Sequence, residues 1–235
     1  MKKYILIALL FVAQFAYADC PQFYPLGKVV AVPNSVELCN NFYAIQYDTA
    51  LNAPIYSAEK FIQGSHSAKR ANDFHPDERL PKETRAENSD YVNERTPDGK
   101  DKYDRGHLTP AADAICEDGL DAHECLLRME SSFDLANMSP QAGTLNEQSW
   151  RLLEMHVRVL KPEYVVTGAI YSANPKTIGA HHVPVPDSYY KIIWLNGKTQ
   201  AWVAENKPHA PVVESTIEAV EADSGLKFPR YEGVQ

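Results

Sequence analysis

The chain has 235 residues, 44% of them hydrophobic, with 23 Lys+Arg against 31 Asp+Glu and a formal net charge of −8. That length suits one domain with a full core, and no repeat or low-complexity linker divides it. The acidic balance excludes a surface that binds polyanions by bulk charge, so any such binding must rest on local clusters of Lys and Arg.

Residues 1–18 carry Lys2-Lys3, an apolar run over 4–15 and the small-x-small triplet Ala16-Tyr17-Ala18. This is the charged, apolar and cleavage-site sequence of a secretory signal peptide, and it leaves a single domain over 19–235. Removing Lys2 and Lys3 leaves 21 basic and 31 acidic side chains, a net −10. The apolar run is shorter than the roughly 20 residues of a membrane span, and no later segment approaches that length. Asp19 is a poor fit for the small residue expected before a lipidated cysteine.

Four cysteines in an exported chain read as two disulfides. Three connectivities exist, and the local pairs Cys20 with Cys39 and Cys116 with Cys125 close the shortest loops. Neither pair has the close two-to-four spacing of zinc ligands.

Further along, 42–47 and 55–61 read as two strands of a hairpin. Residues 65–101 are polar, too long for an idle connector, and include a basic cluster of Lys69, Arg70, Arg79, Lys82, Arg85 and Arg95. A short strand is predicted over 102–108, a short helix over 120–129 and a buried strand over 163–172. Strands 188–195 and 199–204 flank Asn196-Gly197, the strongest hairpin signal in the chain. Residues 212–220 close the chain with a helix. His181-His182 read as loop residues, because adjacent side chains on an extended segment face opposite ways and rarely share an ion.

The chemistry concentrates in two places. In Tyr103-Asp104-Arg105-Gly106-His107-Leu108-Thr109-Pro110, Gly106 admits a close neighbour and Thr109-Pro110 ends the strand. His107 at a strand end is placed as a general base, since an ordinary pKa near 6.5 leaves it mostly neutral yet basic. Arg105 beside it offers a fork of donors suited to phosphate. The second place is a helix over 143–160, stopped by Lys161-Pro162. Leu145, Trp150, Leu153, Val157 and Leu160 give it a core face, and Asn146, Glu154 and Arg158 lie beside that face. On an ideal α-helix Asn146 and Glu154 are about 80° and about 12 Å apart, too far to ligate one ion directly. Helical side chains lean toward the N-terminus, so Glu154 can reach back to a water on an ion at Asn146. Arg158 follows Glu154 by four, the favourable order for an ion pair.

The stretches Asp104-Arg-Gly-His-Leu-Thr-Pro-Ala-Ala-Asp113, Asn137-Met-Ser-Pro-Gln141 and Leu145-Asn-Glu-Gln-Ser-Trp150-Arg-Leu-Leu-Glu154 together resemble the DNA/RNA non-specific endonucleases. That family includes secreted bacterial sugar-non-specific nucleases and mitochondrial endonuclease G. The likeness is close over 102–158 and loose in the flanking strands. It implies an α+β fold, with a central mixed or antiparallel sheet, flanking helices and a ββα-metal active site. It also implies Mg²⁺, with Mn²⁺ as an alternative, held by one asparagine. Residue by residue, His107 resembles the base and Asn146 the metal ligand. Glu154 matches the carboxylate that orients a water on the metal, and Asn137 the asparagine before a Ser-Pro-Gln turn that helps shape the site. Arg105 matches the motif arginine and Arg158 an arginine near the site. Arg70 fits an upstream phosphate-binding arginine, with Arg79 and Arg85 as other candidates.

The implied activity is exported, metal-dependent cleavage of DNA and RNA through backbone contacts, in the periplasm or outside the cell, with a homodimer left open. Two other readings compete with it. One is a metal-dependent phosphodiesterase or phosphatase on small substrates, which needs no basic track. The other is an inactive exported nucleic-acid-binding protein, which predicts losses at the chemical positions, whereas His107, Asn146 and Glu154 are all present.

Overall fold

A computed structural model describes residues 20–27, 30–62, 64, 66–92 and 103–231. Residues 1–18, read above as a signal peptide, together with Asp19, Arg95 and Lys102, lie outside the described residues. The scaffold is an antiparallel sheet in the order β1-β2-β3-β6-β9-β10-β11. Its strands are β1 (Ser35–Cys39), β2 (Tyr43–Asp48), β3 (Ala53–Lys60), β6 (Tyr164–Ile170), β9 (Ser188–Leu195), β10 (Lys198–Glu205) and β11 (Val213–Ser215). Two further pairs stand apart from it, β4 (Tyr103–His107) with β5 (Met138–Ala142) and β7 (Thr177–Ile178) with β8 (Val183–Pro184).

Strand alternation decides what each face of the sheet meets. Tyr56, Ala58, Val166, Tyr190, Ile192 and Trp194 turn to one side, where α4 (Ile217–Ser224) covers them with Ile217 and Val220. Val165, Ala169, Tyr189 and Ile193 turn to the other, against Leu145, Trp150, Leu153 and Val157 of the long helix. Of two short helices, α2 (Ala122–Ser131) packs Met129 with Tyr43, Ile45 and Tyr47, and α1 (Asn88–Tyr91) packs Tyr91 with Leu135 and Met138. Among the described residues no helix is long and apolar enough to cross a membrane.

The 42–47 and 55–61 hairpin, the 102–108 strand, the 120–129 helix and the Asn196-Gly197 turn all have counterparts, and both turn residues are at positive φ, 51° and 76°. The disulfides are the two local pairs, Cys20–Cys39 and Cys116–Cys125.

Three expectations are corrected. The 212–220 segment is not one helix. Val213–Ser215 joins the sheet edge beside β10, as extended-favouring valines do, and Thr216 then caps α4 by accepting from the Ala219 N–H. Asn137-Met-Ser-Pro-Gln141 is not a turn but mostly β5, entered through a 3₁₀ turn over Leu135–Asn137. Pro140 is tolerated there because β4 and β5 form an isolated two-stranded ladder in which one N–H can be dispensed with. The 143–160 helix is not uniform. It is a π-helical turn over Leu145–Trp150 followed by α3 (Arg151–Leu160), which ends at Lys161 in the left-handed conformation, φ 52°. β1 had no forewarning in the sequence pattern.

Candidate active site

β4 and β5 pair so that His107 lies opposite Met138 and Gly106 opposite Ser139. A Cβ on Gly106 would collide with the side chain of Gln141, which is the close approach that position requires. His107 is thereby delivered at the end of β4, and the chain beyond it is fixed from below. Asn137 is fully buried and clamps Thr109 in both directions, accepting from its N–H at 2.9 Å and donating to its carbonyl at 2.8 Å. Thr109 Oγ1 then donates to Ser57 Oγ of β3 at 2.9 Å. Asn137 therefore does not line the cleft; it holds the turn that positions the histidine.

The imidazole sits between two phenyl rings, with centroids 5.8 Å from Phe74 and 5.3 Å from Phe133. Its Nε2 is buried without a hydrogen-bond partner among the described residues. Burial, reinforced by the Arg70 charge, holds its pKa down at about 3, so the ring is neutral at working pH. Arg70 lies over the Phe133 ring at 4.9 Å and, among the described residues, hydrogen-bonds through Nε to Asn72 Oδ1. Arg105 lies over Phe74 at 4.8 Å and over Tyr91 at 5.6 Å, while its Nε donates to Asn88 Oδ1. Stacking of this kind fixes the guanidinium plane.

Across the cleft, Asn146 falls inside the π-helical turn, a distortion found often at functional sites. Its Nδ2 donates to Asp104 Oδ2 at 2.8 Å, leaving Oδ1 as the atom available to a ligand. Glu154 follows on α3, and burial raises its pKa to about 7 against the pull of Lys191. Arg158 donates to Asp113 Oδ1 at 2.9 Å, so the ion pair expected between Glu154 and Arg158 is replaced by one to a buried carboxylate on the turn after β4. A cleft of about 700 Å³ brings Arg70, Arg105, His107, Asn146, Glu154 and Arg158 to one wall system, and Arg151 stands at its rim.

The other candidate arginines are engaged elsewhere. Arg79 is bound to Asp77, Asn40 and the Cys39 carbonyl, and Arg85 to Glu87. His181 is a loop residue as expected, with its ring and its N–H on Asp90. Sequence reasoning missed Asp104 as the partner of Asn146, the aromatic walls Phe74 and Phe133, and Arg151. Arg151 alone had a visible signal, lying three residues before Glu154 on one helical face.

The donors fit a hard divalent cation. An amide oxygen fixed by a carboxylate on its other atom, with a second carboxylate in the same cleft, is an all-oxygen set suited to Mg²⁺ or Mn²⁺ rather than to thiophilic metals.

Two strands and a helix that present a histidine, an amide and a carboxylate to an arginine-rimmed cleft make up a ββα site on an α+β sheet scaffold. The chain belongs to the DNA/RNA non-specific endonuclease family, whose model matches residues 26–231. It is 28% identical over 218 residues to mitochondrial endonuclease G of Bos taurus, covering 79% of this chain and 66% of the relative. Mitochondrial nuclease 1 of Schizosaccharomyces pombe is 28% identical over 229 residues, covering 83% of this chain and 66% of the relative. The chain thus spans just under two-thirds of those relatives' length. A solved structure of an EndoG/EndoGI complex superimposes with a TM-score of 0.68 at 26% identity, covering 85% of this chain and 86% of that one.

Proposed function

We propose that the protein is an exported, Mg²⁺-dependent endonuclease that hydrolyses phosphodiester bonds of DNA and RNA alike. The observation that carries this reading is the meeting of a neutral, ring-locked His107 with Arg70, Arg105 and Arg158 in the cleft that holds the Asp104-bound Asn146. His107, which burial keeps neutral, accepts the proton of the attacking water. The arginines bind phosphoryl oxygens, Arg105 and Arg158 from fixed orientations. Asn146 Oδ1 would hold the ion in the cleft that Glu154 also lines, and the ion would supply neutralisation of the charge that builds on the phosphate and the leaving oxygen. The named groups all address phosphate or water, and none reads a base edge or a 2′-hydroxyl. Cleavage is then indifferent to sequence and sugar. Export is supported by the leader pattern and by two disulfides, which persist in oxidising compartments.

The test is digestion of supercoiled plasmid, of RNA and of a chromogenic diester by the chain from Asp19 onward, with Mg²⁺ and with chelator. Metal-dependent cutting of both polymers, well ahead of the small diester, is expected. Turnover of the diester alone would replace this reading with a small-substrate phosphodiesterase.

A further inference from the structure

α1 is a single turn of four residues, far below the length at which a helix holds itself in water, so its place must come from contacts outside it. It nonetheless supplies two of the groups that hold Arg105. Asn88 Oδ1 accepts from Arg105 Nε at 3.2 Å while Asn88 Nδ2 donates to the Phe74 carbonyl at 2.6 Å, and the Tyr91 ring centroid lies 5.6 Å from the guanidinium. A rotation of α1 would therefore carry the Arg105 side chain with it.

Between Asn88 and Tyr91 stands Asp90, fully buried. Its Oδ2 accepts from the Glu87 N–H at 2.8 Å and closes the turn on itself. The other bonds leave the helix. Oδ1 accepts from the His181 N–H at 3.1 Å, and His181 Nδ1 lies 3.1 Å from Oδ1 and 3.0 Å from Oδ2. With the carboxylate as acceptor, Nδ1 carries the hydrogen. Gly179, in the same turn between β7 and β8, is at φ 68°, and a Cβ there would collide with Asp90. That turn is itself tied down: Asn52 Nδ2 of the β2–β3 turn donates to the His181 carbonyl at 3.1 Å, and Ile178 and Val183 share a core cluster with Tyr91. Desolvating a carboxylate this deeply is unfavourable, and apolar packing would hold the turn at least as firmly. What the carboxylate adds is direction, since bonds to two fixed partners set a rotation that apolar contacts leave free.

We propose that Asp90 and His181 are positioning residues that set the rotation of α1 and, through Asn88 and Tyr91, the orientation of the Arg105 guanidinium in the cleft. Neither is among the residues that line the cleft, so they act only through Arg105. This rests on the nuclease reading for its kinetic consequence but not for its geometric one.

The experiment is a double-mutant cycle of His181→Ala and Arg105→Lys in the chain from Asp19 onward, read by kcat and KM on plasmid. A second readout needs no substrate: the Arg105 Nε–H resonance of ¹⁵N-labelled protein, identified by its loss in Arg105→Lys. His181→Ala should fold, raise KM about 10–100-fold and change kcat little. It should also shift the Arg105 resonance while leaving in place that of Arg70, which stacks on Phe133 away from α1. His181→Asn, whose Nδ2 can donate to the same carboxylate, should restore both KM and the resonance. In the Arg105→Lys background the effect of His181→Ala on KM should vanish. Equal KM effects in both backgrounds, or an Arg105 resonance that stays put, would overturn the proposal, since a turn that merely stabilises the fold has no reason to act through Arg105. If His181→Ala fails to fold, Asp90→Asn, which keeps the volume but one acceptor only, decides in the same cycle. A wild-type chain that cuts no polymer would sink the nuclease reading alone and leave the resonance to judge this one.

Discussion

At the scale of single residues, the site depends on two side chains whose ordinary chemistry is shifted by burial. A histidine in a surface turn could be replaced without effect on stability, but His107 is wedged between Phe74 and Phe133. His107→Ala should lower activity about 10²–10⁴-fold and reduce stability by about 1 kcal/mol of aromatic contact. The folded pKa of His107 is about 3, below the ordinary 6.5, so its contribution is present above pH 6.5 and is lost as pH falls toward 3. The stability gap between wild type and variant should therefore narrow over that window, and a gap that widens with acid would show the histidine is not buried neutral. Glu154 runs the other way. Its folded pKa is raised to about 7 from an ordinary 4.5, so the fold favours the protonated form and loses stability as pH rises through that interval. Glu154→Gln should be inactive yet more stable than wild type at pH 8 in chelator, by roughly 1–3 kcal/mol at 1.36 kcal/mol per pKa unit. The difference should fade at pH 4.5 and shrink when Mg²⁺ is added, as thermal melts across pH would show. Both residues were legible from motif chemistry. The grip of Asp104 on Asn146 and the ring walls Phe74 and Phe133 were not, because contacts made across the fold leave no local pattern.

At the scale of elements, the β4, β5 and α3 unit was legible where periodicity was strong and hidden where it was interrupted. β4 and α3 follow from their patterns, while β5 carries Pro140 and reads as a turn. The π-helical turn left one trace, the five-residue gap between Leu145 and Trp150 where helical spacing wants three or four. That extra residue lets Leu145 and Trp150 both stay in the core while Asn146 reaches Asp104. Deleting exposed Gln148 should restore an α-helical repeat. Trp150, Leu153 and Val157 would hold α3 in the core, and Asn146 would be rotated away from Asp104. The expected result is near-native circular dichroism with Mg²⁺ affinity reduced at least tenfold by calorimetry. Unchanged affinity would mean that the π-helical turn has no part in placing the asparagine.

At the scale of the whole molecule, strand order was the least legible feature, since β3 meets β6, and β6 meets β9, only through pairings that no local pattern encodes. The cysteines show how such distance matters for function. Cys116–Cys125 closes a short segment between β4 and α2, and the same segment grips the chain that leads to Arg70. Cys116 N–H donates to the His66 carbonyl at 2.9 Å, Ser67 bridges Ile115, and Arg128 holds the Ile115 carbonyl at 3.3 Å. Arg70 follows four residues after His66, and among the described residues it is held by a hydrogen bond to Asn72 and by its stacking on Phe133. A disulfide over this sequence separation contributes roughly 2–3 kcal/mol by restricting the unfolded chain, against a net domain stability of about 5–15 kcal/mol. Reduction should therefore lower the melting temperature and, through the loosened Arg70 segment, raise KM for plasmid more than it lowers kcat, because His107 and Asn146 are held by separate contacts. Cys116→Ser with Cys125→Ser should reproduce both changes, whereas Cys20→Ser with Cys39→Ser, at the β1 edge, should lower the melting temperature and leave KM alone. On the proposed reading, the reduced chain would be a weaker nuclease, and export into an oxidising compartment would be what completes it. If the reduced protein and the Cys116 variant cut DNA with the oxidised KM, then Arg70 is held by its cleft contacts alone and the disulfide serves stability only.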